Sequence, residues 1–518
     1  MKNIILLILF FISWGCIDDN GNYEYRPVRE LQVLGVDNVY LSQDESVTIT
    51  PKIVVKGDKT ETAIENVEFE WKINNKVVST EPTYTYIADS EGRFYVFLRF
   101  VDPLTKVVGT HRFEIEVNSK FNKGLIVLSE DKGKGMLSFI RAKDIGSLDT
   151  IVFEGEWKDI YAEFNGGEEL KGIPYSVTEH WYYDDYNSVP GELTILSDDG
   201  GQVCVQEVNG SSMKRETYIE QEFDGGRLPM NFTPKQIMHT CWDSFILDES
   251  GVIYNRRSAT NKAFHTGYFS DKVQLWNGQK FSKLIFTKYN NTRAVLAIEI
   301  DKQSGKHNYV GITADYNNEH KNLYRVEFVD IDNNVNIDDF KDIQEEIIFS
   351  DWRNTGGDKE CGMSVVSRDA NRDYFLHCFV LDKPTSTTVE VVNSTKINLT
   401  KEHGVSKVVS MCTNKLKNFT YYCDENTIYA LDNLHNNKFY EVKKFDKKIV
   451  DIADYSLHSD SGFTAYIAVA FEDGTIEIWE CSRENQYEFH TRVYVSQANY
   501  GNIKDILFKN YNTTFFNR

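Results

Sequence analysis

From Leu31 to Val117 apolar and polar residues alternate in short runs with a period of two, the signature of strands that bury one face. In residues 67–73 the side chains of Val67, Phe69, Trp71 and Ile73 fall on one face, and Asn74-Asn75 behind them reads as a turn. Residues 46–50 alternate in the same way, Gly92 introduces the apolar run 94–100, and Phe113, Ile115 and Val117 are in phase at the end of the segment. Several short strands in about 90 residues, with a Trp on a middle strand, predict an immunoglobulin-like β-sandwich over residues 28–118. Trp71 belongs to its core rather than to a ligand platform.

From Phe121 onward the pattern changes to short strands separated by polar turns, and one unit recurs. Residues 124–131 lead into 136–140, 192–200 into 202–205, 244–251 into 252–254, 419–426 into 427–430, and 465–474 into 475–479. Each is a strand, an acidic or glycine-containing turn, and a second strand. We read this unit as the inner hairpin of a propeller blade, and residues 119–518 as a β-propeller. About 400 residues give seven blades of roughly 57 or eight of about 50; both fit blades with loops, and we take seven. The alternative is a large sandwich or a row of small β domains. A ring leaves no long open edge, so strand 124–128 is expected to complete the last blade. A TIM barrel requires amphipathic helical stretches between strands; only residues 338–348 read as one short helix. The fold class is therefore all-β.

Composition narrows the partners. Asp and Glu number 78 against 57 Lys and Arg, a formal charge of -21, which argues against nucleic acid because phosphate binding needs a basic footprint. Eight cysteines in 518 residues are too few for a disulfide scaffold, and no CxxC pair suggests zinc. Cys412 and Cys423 either face each other across a hairpin as a disulfide or lie buried as thiols.

The N-terminus has its own pattern. Lys2 precedes an apolar run, residues 4–12, that is too short to span a bilayer and reads as a signal peptide over residues 1–15. The run ends in Ser13-Trp14-Gly15-Cys16. A small residue before a Cys at this place resembles a bacterial lipobox, which makes Cys16 the lipidated first residue of the mature chain, with residues 16–27 a polar tether. The alternative is an ordinary secretory signal with an incidental Cys. No later apolar run is long enough to span, so the chain reads as anchored rather than spanning.

Chemistry is harder to find. The loop Asp330-Ile331-Asp332-Asn333-Asn334-Val335-Asn336 offers oxygen ligands at Asp330, Asp332, Asn334 and Asn336, as a calcium loop does. Val335 stands where an EF-hand needs Gly and Lys341 where it needs Glu, so the segment reads as a solvated acidic loop and no metal is expected. Residues 179–185 are dense in aromatic and acidic side chains; strand alternation sends Trp181 and Tyr183 to one face and His180 and Tyr182 to the other. Trp181 and Tyr183 are candidate ligand contacts, since exposed rings stack on a sugar or hold a peptide side chain; packing between blades is the competing reading. Arg227 in Asp224-Gly225-Gly226-Arg227, and Trp352 and Arg353 in Asp351-Trp352-Arg353-Asn354-Thr355-Gly356-Gly357, sit in glycine-rich loops that are either rim contacts or tight turns. Neither loop matches a phosphate loop, and no HExxH or GxSxG occurs. No catalytic residue and no cofactor are assigned.

The lipobox, the segment Cys16-Ile17-Asp18-Asp19-Asn20-Gly21-Asn22-Tyr23-Glu24-Tyr25 and the two-part architecture together resemble the PKD-like family of Bacteroidetes surface lipoproteins. The resemblance is firmest over residues 1–118. It implies export to the outer face of the outer membrane and an accessory role beside a TonB-dependent importer and its lid lipoprotein, of the starch-utilisation type. The cargo it implies is glycan or peptide, since such importers serve both. The leading expectation is thus a non-enzymatic surface binding protein; the alternatives are a surface hydrolase of glycan or peptide, and a structural scaffold with no ligand.

Replacing Cys16 with Ala should release the chain from the membrane fraction. A variant that stays membrane-bound after a carbonate wash would remove the lipoprotein reading.

Overall fold

The computed structural model describes residues 29–144, 151–182, 189–239, 243–257, 268–269, 278–285, 294–314, 323–333, 335–353, 360–382, 388–414, 419–433, 438–459, 462–481 and 487–509. The chain divides into two compact units, Met1–Ser119 and Lys120–Arg518. Both are built almost entirely of β-sheet, and among the described residues no helix is long and apolar enough to cross a membrane.

In the first unit a five-stranded sheet and two two-stranded sheets enclose one core. The alternation read from the sequence sets its faces: Phe69, Trp71, Ile73, Phe113, Ile115 and Val117 all join that core. Trp71 is fully buried, and its indole N–H donates to the Glu81 carbonyl at 2.8 Å. Arg29 donates from Nε and Nη2 to the two carboxylate oxygens of Asp102 at 2.6 Å each, joining the segment before the first strand to the end of a central one. That pairing holds the Asp102 carboxyl well below the usual range, helped by Thr105 and the Leu104 N–H.

Among the described residues the second unit contains six sheets, one of them eight-stranded. The eight strands are two antiparallel groups of four, joined by a parallel pairing of Leu323–Val329 with Thr388–Asn398. The sheet curls until its terminal strands, Lys280–Ile285 and Glu346–Arg353, lie side by side, a nearly closed, barrel-like arrangement around Tyr309, Phe328, Phe340 and Phe379. Counting its halves separately gives seven groups, which we number I to VII. Their first strands are Asn502–Lys509 (I), Ile173–Tyr182 (II), Pro234–His239 (III), Lys280–Ile285 (IV), Glu346–Arg353 (V), Ser410–Thr413 (VI) and Ile449–Ser459 (VII). Each of these strands packs against the first strands of the groups before and after it, and VII packs against I, so the first strands close a ring. A separate apolar cluster fills each junction between neighbours. Leu125, Tyr455 and Ala468 meet between VII and I, Ile126, Val177 and Leu193 between I and II, and Val366, Leu376 and Tyr422 between V and VI.

The ring closes by exchange of chain ends. The inner strand of group I, Asn502–Lys509, comes from the C-terminal end and pairs with Gly124–Asp131, as the expectation for strand 124–128 requires. Gly501 enters that strand at φ 75°, where a Cβ would stand 2.7 Å from the Glu130 carbonyl oxygen, so only glycine fits without a shift.

All five recurrent hairpins form, but each is the second and third strand of its group rather than the innermost pair. The pattern is loudest there because those strands are covered on both faces by neighbouring groups. Their acidic turns have a local cause: a leading Asp carboxylate accepts main-chain N–H groups across the turn, as Asp198 does from Gly201, Asp248 from Val252 and Asp424 from Thr427. The helix expected over residues 338–348 does not form. Ile337–Phe340 makes a single 3-10 turn, capped by Asn336, and Glu346–Arg353 is the inner strand of group V. Buried Phe340 anchors the turn, and the following apolar residues are used by the sheet. Cys412 and Cys423 are buried thiols, not a disulfide: Cys412 lies opposite Tyr421 and Cys423 opposite Ser410.

Inner strands are tied to one another by side chains that reach main-chain N–H groups next door. Asp505 of group I accepts from Val177 N–H of II at 2.8 Å, and Asp451 of VII accepts from Ile506 N–H of I at 2.9 Å. Asp351 of V accepts from Thr413 N–H of VI at 2.8 Å, and Gln236 of III exchanges two bonds with the Leu284 main chain of IV. Loss of hydration, and for Asp505 the neighbouring Asp451 charge, raise both carboxyls, Asp451 to about 6 and Asp505 further. At neutral pH the pair therefore keeps a proton that two hydrated carboxylates would have lost.

A carboxyl raised above its unfolded value of ~3.9 adds stability below that value, and the contribution is lost as pH rises through the folded pKa. Asp505→Asn keeps an acceptor for Val177 and supplies a permanent donor to Asp451. The difference in unfolding free energy, wild type minus variant, should fall by on the order of 2 kcal/mol between pH 5 and pH 8. Parallel pH curves for the two proteins in denaturant titrations would rule the shared proton out.

Candidate functional site

The inner strands run in one direction around the ring. Between I and II, Asp505 meets Val177 and Lys509 lies 3.8 Å from Glu179, so both registers advance together. The last residues of the inner strands, such as Tyr182, His239, Arg353 and Lys509, consequently gather at one end of the ring. The tight turns between second and third strands lie at the other. Three of the sequence candidates, Trp181, Trp352 and Arg353, sit near the first end, which makes it the candidate site.

At this end groups II and III are joined by polar side chains instead of apolar ones. His180 and His239 stack with ring centroids 4.5 Å apart and planes 10° from parallel. His239 Nε2 bonds the Thr194 hydroxyl at 3.1 Å and Nδ1 the Ser244 hydroxyl at 2.9 Å. Burial, and then the Arg256 charge, push the His239 pKa down to about 3, so the ring is uncharged at neutral pH and keeps a single N–H. Arg256 is 1% exposed and spans the Glu207 carboxylate with Nη1 at 3.1 Å and Nη2 at 2.9 Å. Its Nη1 also donates to Glu222, and its guanidinium lies 4.7 Å over the Phe269 ring. Burial works against this charge, yet Glu207 and Glu222 hold its pKa above the usual value. The Lys509 ammonium, fully buried between I and II, is shifted down by loss of hydration and supported by Glu179 and the Asn122 carbonyl.

Between V and VI the same end is organised around Asp351. It takes the Thr413 N–H and hydroxyl at 2.8 Å each and caps the Trp352 N–H at 2.8 Å, while the Thr413 hydroxyl also donates to the Trp352 carbonyl. Trp352 is half-buried, with its ring against the core between IV and V.

The candidates read from the sequence are not all brought together. Trp181 lies in the inner strand of II, beside a register shift between His180 and Tyr182 that interrupts simple alternation. Trp352 and Arg353 end the inner strand of V. Arg227 is exposed in the stretch leading into the inner strand of III, and the acidic loop leads into that of V, so both belong to the opposite end. Cys16, Tyr183 and Asn334 lie outside the described residues. In the acidic loop, Asp330 accepts the Val335 N–H at 2.9 Å and Asn336 caps the 3-10 turn, while Asp332 is exposed. Among the described residues no three His, Cys, Asp or Glu side chains come together as a metal site.

Sequence reasoning missed His239, Arg256, Glu207 and Glu222. Three lie in strands and Glu222 ends the 3-10 turn Ile219–Glu222, and their sequence separations, 34 to Glu222 and 49 to Glu207 from Arg256, follow no motif. A charged residue inside an otherwise apolar strand was the one available signal.

The chain carries an N-terminal PKD-like domain: residues 16–174 match the PKD-like family. No curated protein matches the chain. Among solved structures it is similar to a quinonprotein alcohol dehydrogenase-like protein from Bacteroides thetaiotaomicron, with TM-score 0.41 and 14% identity over 93% of this chain and 100% of that one. It is also similar to the β-propeller domain of Cps50 (Swd1) from Myceliophteria thermophila, with TM-score 0.37 and 11% identity over 70% of this chain and 100% of that one. A third similar structure is a mutant of AofleA from Arthrobotrys oligospora, with TM-score 0.35 and 9% identity over 64% of this chain and 90% of that one.

Proposed function

We propose that the first unit is a PKD- or immunoglobulin-like sandwich and the second a seven-bladed β-propeller, and that together they form a non-enzymatic binding protein. In this reading the protein is anchored through Cys16 at the outer face of the outer membrane. There it assists a TonB-dependent importer and its lid lipoprotein in capturing glycan or peptide. The observation that carries the reading is the closed ring of inner strands with the tightly bonded polar groups at one end of it. His239 and Arg256 are committed to inter-sheet bonds and held in one charge state near neutral pH, which suits a firm platform. Tethering two proteins to one membrane raises their effective concentration, so a small docking surface suffices for assembly with the importer. The partners and the surface address rest on the resemblance of the N-terminal segment and on the PKD-like match.

Extraction of outer membranes in mild detergent should yield this chain with an importer and its lid lipoprotein. Changing Trp181 and Tyr183 together to Ala should weaken binding of oligosaccharides or peptides about tenfold, the loss of two aromatic contacts, with thermal stability and the complex unchanged. A collapse of thermal stability would assign those rings to the core. Turnover of glycan or peptide by the purified chain would replace this reading with the hydrolase alternative, and a complex without any ligand would leave a scaffold.

A further inference from the structure

At the opposite end of the ring a cleft of about 650 Å³ opens between groups III, IV and V. It is framed by the early residues of three inner strands, by the turn at Ser304–His307 of group IV and by the stretch from Asp342 to Glu346. Its volume lies within the range of about 300–1,000 Å³ common for small-ligand sites.

The charges in its wall are unevenly satisfied. Asp342 is paired with Lys306 at 2.6 Å and also takes a bond from Gln344. Glu345 is paired with Lys396 at 2.5 Å and Glu346 with Arg368 at 2.7 Å. Each carboxylate thus has its own cation. Lys235 and Lys283 also line the cleft, and among the described residues neither ammonium makes a hydrogen bond or an ion pair. A register shift between Phe281 and Lys283 leaves Ser282 without a partner in the ladder, and Lys283 resumes the pairing opposite Ile298. The two lysines are near enough to repel. Burial first, and then the Lys235 charge, lower the Lys283 pKa, while Glu346 opposes the shift only in part. Two cations held together in a concave wall, without counter-ions of their own, form a place where an anion relieves the repulsion of both.

We propose that this cleft is a binding site for a small oxyanion-bearing ligand, with a carboxylate, sulfate or phosphate group seated between Lys235 and Lys283. The Ser282 hydroxyl, also in the wall and held only by a long bond to the Ile298 carbonyl at 3.5 Å, supplies a neutral donor for the rest of the ligand. The room available suits a molecule of one or two sugar rings rather than a polymer. The site is independent of the aromatic end of the ring and of the importer reading, so either survives failure of the other.

The test titrates the full chain in detergent with sodium glucuronate, sodium sulfate and inorganic phosphate, by calorimetry at constant ionic strength. Binding of at least one anion should weaken tenfold or more in Lys283→Met and severalfold in Lys235→Gln. Lys401→Gln, on another part of the surface, should bind as wild type does. Because a bound anion favours the charged form of Lys283, whose pKa burial and the Lys235 charge lower, binding should weaken as pH rises and should take up protons over the range where Lys283 titrates; a purely structural lysine would show neither effect. The preferred anion tells a sugar acid from a free inorganic ion. Lys283→Met removes a buried charge and should melt no lower than wild type; if it does unfold, Lys235→Gln and the proton uptake carry the test alone. No binding by any of the three anions up to tens of millimolar, or equal binding by wild type and both cleft variants, would overturn the proposal.

Discussion

The second unit depends on how its inner strands deal with their open edges. Each inner strand is laddered on one side only, and the main-chain N–H groups on the other side face into the ring, where an unmet donor is costly. The answer is a side chain from the preceding group: Asp505 for Val177, Asp451 for Ile506, Asp351 for Thr413, Gln236 for Leu284. A bond from N–H to a carboxylate contributes about 1.5–3 kcal/mol, more than a neutral one. It also has direction, so it sets the height of one group against the next, which apolar packing at the seams cannot do alone. The chain-end exchange in group I closes the circle: the strand bearing Asp505 arrives last in the chain and is gripped on both sides, by II through Asp505 and by VII through Asp451.

The junction between II and III departs from this scheme. Beside its apolar cluster of Leu196, Val205, Ile237 and Ile246 it buries Arg256, Glu207, Glu222, His180 and His239. Buried ion pairs add little net stability over apolar packing, but removing one partner strands the other at a cost of several kcal/mol. Such a cluster therefore makes one arrangement of the two groups far better than any slipped alternative. The residues that confer this lie at the end of the ring where the inner strands finish, so firmness is concentrated beside the proposed binding surface.

The two ends of the ring are physically unlike. One ends in tightly bonded polar clusters and carries Trp181, Trp352 and Arg353. The other carries the Asp-led turns, whose carboxylates are consumed by their own main chain, and beside them the cleft with Lys235 and Lys283. An acidic protein of net charge -21 repels anions at long range. A local excess of positive charge within a concave wall acts at short range, inside a Debye length of about 8 Å at physiological salt.

The alternation of Val67 to Ile73 and the repeated strand–turn–strand units were enough, without coordinates, to establish all-β structure and the burial of Trp71, because period-two patterning is written locally. The Asp-led turns were legible for the same reason: their hydrogen bonds stay within a few residues. The helix expected near residue 338 failed because Phe340 and the apolar residues behind it answer to a core assembled from both halves of the eight-stranded sheet, not to their own periodicity. The grouping of Arg256 with Glu207 and Glu222, the shared proton of Asp451 and Asp505, and the two unpaired lysines of the cleft have no local signature at all. Each joins residues from different groups of the ring, and a charge reveals its partner, or the lack of one, only when folding has brought the strands together and removed the water between them.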